Sequence, residues 1–202
     1  MGTLLNRRRY MGGGAKEVPY IEKNGAAYID TGYVPTGTDI TVKCKIYQGA
    51  ISDNSKWYNW FSAFVNNSTR CYRAIRRGNY MAVCFQMGVN GSGTGNDLTI
   101  SVGSTYDMEV SYKKFTVNGV TKTKGGNDST RENTSTMLIL GGPGEDYAIL
   151  RCYYFQLYKG DDLVLDMIPA ENNGQAGMYD KVSGNFFGNA GTGTLTLGYD
   201  KT

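Results

Sequence analysis

The sequence predicts an all-β protein made of two antiparallel sheets packed face to face. Three observations carry that expectation. Glycine occurs 28 times and tyrosine 16 times in 202 residues, and a chain rich in Gly, Tyr, Thr, Val and Ile favours strands joined by tight turns. Apolar residues recur at every second position in one run after another, with turn signals between the runs. No segment holds a helical period over the length of a helix. A chain of this size fits one domain and can bury a sizeable core.

The strands follow in order. "PYIEKN" and "AAYIDTG" flank Asn24-Gly25, a two-residue hairpin signal because both residues tolerate the left-handed turn conformation. In "DITVKCKIYQ" Ile40, Val42, Cys44 and Ile46 share one face, while Thr41, Lys43 and Lys45 share the other. "WYNWFSAFV", "RCYRAIRR" and "NYMAVCFQM" come next, the last with Met81, Val83, Phe85 and Met87 in one phase. "LTISV" follows a polar, glycine-rich loop. Met108, Val110 and Tyr112 run in one phase and Phe115 and Val117 in the other, so a turn or bulge must fall near Lys113 and Lys114. Asn118-Gly119 predicts the next hairpin. "TMLILGG", "AILRCYYFQLYKG" and "DLVLDMIPA" complete the series, with Tyr153, Phe155 and Leu157 expected to face inward. Strands at this spacing, each with one apolar face, describe an antiparallel sandwich and not a parallel sheet.

Residues 1–17 read as a separate, flexible basic arm. They hold Arg7, Arg8, Arg9 and Lys16 against Glu17, so the remaining chain carries equal numbers of acidic and basic residues. Gly12, Gly13 and Gly14 then act as a hinge, and residues 18–202 form the folded domain. A neutral body gives no footprint for nucleic acid. A second basic cluster, Arg70, Arg73, Arg76 and Arg77, reads as a solvated strand face. There is no run of eighteen apolar residues to cross a membrane as a helix and no secretory pattern at the start, so synthesis in the cytoplasm is expected. Cys44, Cys71, Cys84 and Cys152 are widely and irregularly spaced, and histidine is absent. Zinc and thiol-imidazole chemistry therefore lack their usual groups. Cys44 fits a small core residue, and the cysteines read better as thiols than as a disulfide framework, although three pairings stay open.

The two ends of the chain carry a resemblance. "FTVNGV", "LILGG" and "LRCYYFQLYKGDDLV" follow the order seen in laminin G-like domains of the concanavalin A-like jelly-roll superfamily. "YIEKNGAAYIDTGYVPT" and "DMIPAENNGQAGMYDKVSGNFFGNAGTGTL" resemble, more narrowly, a sub-family common in phages and prophages of gut bacteria. The resemblance spans residues 18–199 and implies a jelly roll in which "YIDTG" pairs with "TGTLTLG". In the closing motif a Tyr179-Asp180 turn and a Ser183-Gly184 hairpin would return Phe186 and Phe187 against the sandwich, with Gly177, Gly184, Gly188 and Gly191 supplying unusual backbone angles.

Some members of that superfamily are glycanases, whose chemistry needs two carboxylates about 5 to 9 Å apart. The Glu-x-Asp-x-x-Glu strand of the related glucanases is missing here, and no Ser-centred elbow or phosphate loop is present. No catalytic residues and no metal are expected. The resemblance implies a virion structural protein instead, a head-fibre, capsid-decoration or tail-associated subunit docking onto other virion proteins, and exposed sheet edges, which often pair, lead us to expect homo-oligomers. Docking would use the arm, with Leu4, Leu5, Tyr10 and Met11 becoming buried and Arg7, Arg8 and Arg9 meeting acidic groups. The alternative is a lectin-like module for bacterial or mucosal glycans, with Trp57, Tyr58 and Trp60 as candidate glycan-binding residues. Strand alternation sends at least one of those two tryptophans inward. Calcium, which some laminin G-like relatives hold, would need Asp53-Asn54 or Glu145-Asp146.

Overall fold

A computed structural model describes residues 11–66, 69–77, 80–87, 98–112, 114–123, 129, 131–145 and 148–199, the side chains of 82 and 84–87 excepted. After a single 3-10 turn at Gly12–Gly14 the described chain is built from strands. The first are β1 (Lys16–Glu17), β2 (Ile21–Asn24), β3 (Ile29–Asp30), β4 (Ile40–Ile51), β5 (Tyr58–Ala63) and β6 (Cys71–Arg77). Next come β7 (Tyr80–Met87), β8 (Leu98–Thr99), β9 (Ser104–Ser111), β10 (Lys114–Val117), β11 (Val120–Thr123) and β12 (Leu138–Ile139). The last are β13 (Ala148–Lys159), β14 (Asp162–Asn172), β15 (Gln175–Asp180), β16 (Phe186–Phe187) and β17 (Thr194–Leu197).

They form two antiparallel sheets, as the composition predicts. The larger runs β11-β10-β9-β4-β13-β14-β15-β16, and the smaller β3-β12-β5-β6-β7-β8. The larger sheet branches along β13, whose first half pairs with β2 and whose second half pairs with β14. A register shift at Cys152/Tyr154 falls between the two halves, and another at Leu157/Tyr158 lies within the second. One shift also corrects the inward reading of Tyr153, which stacks against Tyr20 at 5.6 Å between ring centroids while Phe155 and Leu157 remain in the core.

The alternation read from the sequence is the burial pattern of β4, where Ile40, Val42, Cys44 and Ile46 are all buried. Facing residues of the smaller sheet close the interior. Phe61 meets Phe155 edge-on at 5.7 Å, and the Trp60 and Tyr106 rings lie 5.3 Å apart. The indole N–H of Trp60 donates to Gln48 Oε1 across the sheets at 2.9 Å, which satisfies a polar pair in an apolar interior. Cys44 and Cys152 are buried free thiols, both pushed up first by desolvation. Cys71 departs from the expectation of thiols throughout, because it is disulfide-bonded.

Asn118-Gly119 makes its predicted turn, with φ of 47° and 80°, and Val117 opposite Val120. The predicted hairpin at Asn24-Gly25 does not form. Gly25 adopts the left-handed conformation (φ 68°), yet β2 and β3 belong to different sheets. The reason is competition for edges: β13 takes one edge of β2 and β17 the other, leaving β3 to pair with β12. The expected pairing of "YIDTG" with "TGTLTLG" is corrected with it, since Leu197 lies opposite Ile21 and Thr194 opposite Asn24. Ile29 instead bridges Asn189.

In the closing motif Tyr179 and Asp180 end β15 and do not form the turn. The Asp180 carboxylate, buried, accepts the amides of Asp166 (2.8 Å), Val182 (3.2 Å) and Ser183 (3.0 Å) and so holds the turn that follows. Phe186 and Phe187 return beside Tyr179 and Met178, as expected. Among the four glycines Gly184 alone has a positive φ. Gly177 and Gly191 are needed for closeness: a Cβ would overlap the Phe187 carbonyl oxygen at the first and the Ala26 carbonyl oxygen at the second.

The arm boundary also moves. Lys16 and Glu17 pair with Glu171 and Ala170 on β14, the Met11 amide donates to the Ala15 carbonyl at 2.9 Å, and Ala15 is buried with Ala170 and Tyr179. Residues 11–17 therefore belong to the body, where β14 offers an unpaired stretch beyond its contact with β13. Gly191→Ala should destabilise the fold by about 1 to 3 kcal/mol through overpacking, read as a lower urea midpoint. Gly188→Ala, whose Cβ would meet only side-chain atoms at 3.8 and 3.9 Å, is the control expected to change little.

Candidate ligand-binding surface

Two of the three aromatic candidates lie on β5, and the third, Trp57, immediately precedes it. Tyr58 and Trp60 are 0% exposed and point into the core, whereas Trp57 is 44% exposed. The reason is strand alternation: with Trp60 fixed on Gln48, Tyr58 shares its phase and Trp57 takes the opposite one. Tyr58 and Trp60 thus offer no ring face to a ligand, and desolvation raises the Tyr58 phenol.

The same phase runs across neighbouring strands. Tyr58 pairs with Arg76, Arg76 with Met81, and Met81 with Leu98. Tyr58, Arg76 and Met81 are all buried. The row one residue away faces outward: Arg77 pairs with Tyr80 and Tyr80 with Thr99. Trp57 joins it, because the Arg77 guanidinium lies over its ring at 5.7 Å. Tyr80 is 50% exposed. Sequence reading singled out Trp57 but missed Tyr80 and the place of Arg77, since the row exists only once three strands are in register.

The arginine cluster is not the solvated face expected of it. Arg76 is fully buried and donates to the Ile100 carbonyl at 3.1 Å, and Arg70 is buried with Glu132 at 3.4 Å. Arg73 stacks on Phe64 at 4.0 Å, and burial lowers its guanidinium. Arg77 is the exposed member.

The outer face of the larger sheet is also rich in tyrosine, but it is internally satisfied. Arg151 sits 4.6 Å from both the Tyr20 and Tyr47 rings and pairs with Glu22 at 2.6 Å. Lys43 pairs with Glu109 at 3.4 Å, and the Tyr154 hydroxyl donates to Asp107 at 2.9 Å.

In both calcium candidates the described carboxylates are engaged within the chain. Asp53 turns back on Ser55, accepting its amide at 2.8 Å and its hydroxyl at 2.6 Å, and the hydroxyl bond is the first cause holding its carboxyl low. Asn54 is exposed beside it, and Asp146 lies outside the described residues. Glu145 is engaged internally: its carboxylate accepts the Asn59 amide at 2.8 Å and the Asn59 side-chain NH2, while its carbonyl accepts from buried Lys23 Nζ at 2.5 Å. Desolvation raises the Glu145 carboxyl. Among the described residues no group of three His, Cys, Asp or Glu side chains is placed to hold a metal.

Of the arm candidates, Leu4, Leu5, Arg7, Arg8, Arg9 and Tyr10 lie outside the described residues. Met11 packs against the small cluster of Ala15, Ala170 and Tyr179, so its side chain is partly covered by its own domain. No protein-family model and no curated protein matches the chain.

Two expectations follow. Trp60→Ala should cost about 3 to 5 kcal/mol of stability, whereas Trp57→Ala should stay within about 0.5 kcal/mol, both read by urea denaturation. The raised Glu145 carboxyl favours the folded state when protonated, so its contribution is present at acid pH and is lost as pH rises through the native value. The stability of the wild type relative to Glu145→Gln should therefore improve as pH falls through that range.

Proposed function

We propose that the chain is a non-enzymatic attachment protein of a bacteriophage particle, a head-fibre, decoration or tail-associated subunit that adopts a jelly roll and adheres to surface glycans. The virion assignment rests on the resemblance of the opening and closing motifs to phage and prophage proteins. The adhesive role rests on one observation: Trp57, Arg77 and Tyr80 form an outward row in which an aromatic ring stands on either side of a guanidinium. Aromatic faces take the apolar faces of sugar rings, and β6 and β7 hold Arg77 and Tyr80 in register beside Trp57, which immediately precedes β5.

Residues 1–10 are the segment assigned to docking on other virion proteins, with Arg7, Arg8 and Arg9 answering acidic groups. Residues 11–17 fasten that segment to β14. The strand β11 ends the larger sheet with all four residues exposed, and such an edge supports pairing with a second copy. No cofactor is assigned.

Deleting residues 1–10 leaves β1 and its pairing intact. The shortened protein should keep the thermal midpoint of the full chain and fail to enter particles produced from a phage genome encoding it; normal incorporation would defeat the docking role. On a glycan array the full chain should bind, and Trp57→Ala should abolish binding while leaving the midpoint unchanged. A folded chain that binds nothing on the array would remove the adhesive role.

A further inference from the structure

We infer that the ligand of the Trp57–Arg77–Tyr80 row is a carboxylate-bearing sugar. The inference rests on the reading of that row as a glycan surface and adds the charge class of the glycan. Four other cations of the described residues have a carboxylate within salt-bridge distance. Arg151 pairs with Glu22 at 2.6 Å, Lys181 with Asp166 at 2.6 Å, and Lys43 with Glu109 and Arg70 with Glu132 at 3.4 Å each. Arg73, on the same outer face as Arg77, lies within the field of Glu145.

Arg77 differs from them. Its guanidinium lies over the Trp57 ring, and among the described residues no carboxylate comes within salt-bridge distance of it. This cation–π contact uses the charge of the guanidinium and not its N–H groups, which stay available to a ligand. That planar fork matches a carboxylate with two parallel hydrogen bonds.

The neighbours decide what carries the carboxylate. Trp57 and Tyr80 flank Arg77 on either side, two strand spacings or about 10 Å apart. A ligand seated there lays two apolar ring faces on the aromatics with its charge between them, as an oligosaccharide with an acidic residue does. Thr99, exposed and opposite Tyr80, extends the row with a hydroxyl. A nucleic acid or other dense polyanion is disfavoured, because it needs several cations in a line and the chain beyond residue 17 has as many acidic as basic residues.

The test is an array that pairs sialylated and uronate-containing glycans with their desialylated and carboxyl-reduced counterparts, followed by calorimetric titration of the full chain with the best-bound pair. The acidic member should bind roughly tenfold to a hundredfold more tightly, the range of a charge-assisted hydrogen bond. Arg77→Gln should erase that preference and leave the weaker neutral binding in place, whereas Trp57→Ala should remove both. Equal affinity for the two members, or a preference that survives Arg77→Gln, overturns the inference. Binding of neutral glycans alone, lost in Trp57→Ala, would also overturn it while leaving the glycan reading intact. A chain that binds no glycan of either kind defeats the inference together with that reading.

Discussion

The hydrogen bond between Trp60 Nε1 and Gln48 Oε1, at 2.9 Å in the core, is the contact on which the arrangement of the two sheets turns. An indole N–H and a carboxamide buried without partners would each cost about 1 to 3 kcal/mol, so the two sheets satisfy both groups in this relative position. The consequence travels along and across the smaller sheet. With Trp60 inward, Tyr58 is inward and Trp57 outward, and antiparallel pairing passes that phase to Arg76 and Arg77 and then to Met81 and Tyr80. The exposed aromatic row is thus the reverse side of a core contact. A slip of one residue in β5 would bury Trp57 and expose Trp60.

A second constraint is the shortage of strand edges. β2 gives one edge to β13 and the other to β17, which binds the end of the chain to its beginning. The closing motif serves that closure. Glycines at 177, 191 and 193 let backbones approach where a Cβ would strike a main-chain atom, and the buried carboxylate of Asp180 gathers three amides to hold the turn between them. The density of glycines there reflects close packing between backbones.

Charge on the larger sheet is locally balanced. On the larger sheet, tyrosines and cations are knitted to acidic neighbours, which makes a rigid but electrically quiet face. Lys23, Asn59 and Glu145 form a network that joins β2 of one sheet to β5 of the other. Such a network is costly to break, because removing one member leaves another polar group buried and unanswered. The absence of a Cβ at Gly141 matters here, since one would stand 2.5 Å from Lys23 Nζ.

Much of the fold was legible in the sequence because period-two alternation is a local property. The inward face of β4 and the turn at Asn118-Gly119 could both be read from neighbouring residues, whereas the return of Phe186 and Phe187 was implied by the resemblance of the closing motif. Edge competition was not legible. Asn24-Gly25 has the chemistry of a hairpin turn, and only the presence of β13 and β17 on both sides of β2 sends the next strand to the other sheet. The four-arginine cluster and the "KWYNWF" aromatics show the same limit, because their composition is local while the choice of face depends on a partner many residues away. The sequence by itself determined that this protein is a β sandwich with a neutral body. Which tryptophan meets solvent, and which arginine stands beside it without a carboxylate among the described residues, was decided only when long-range pairing set the register, since alternation defines two faces but not which of them the core will claim.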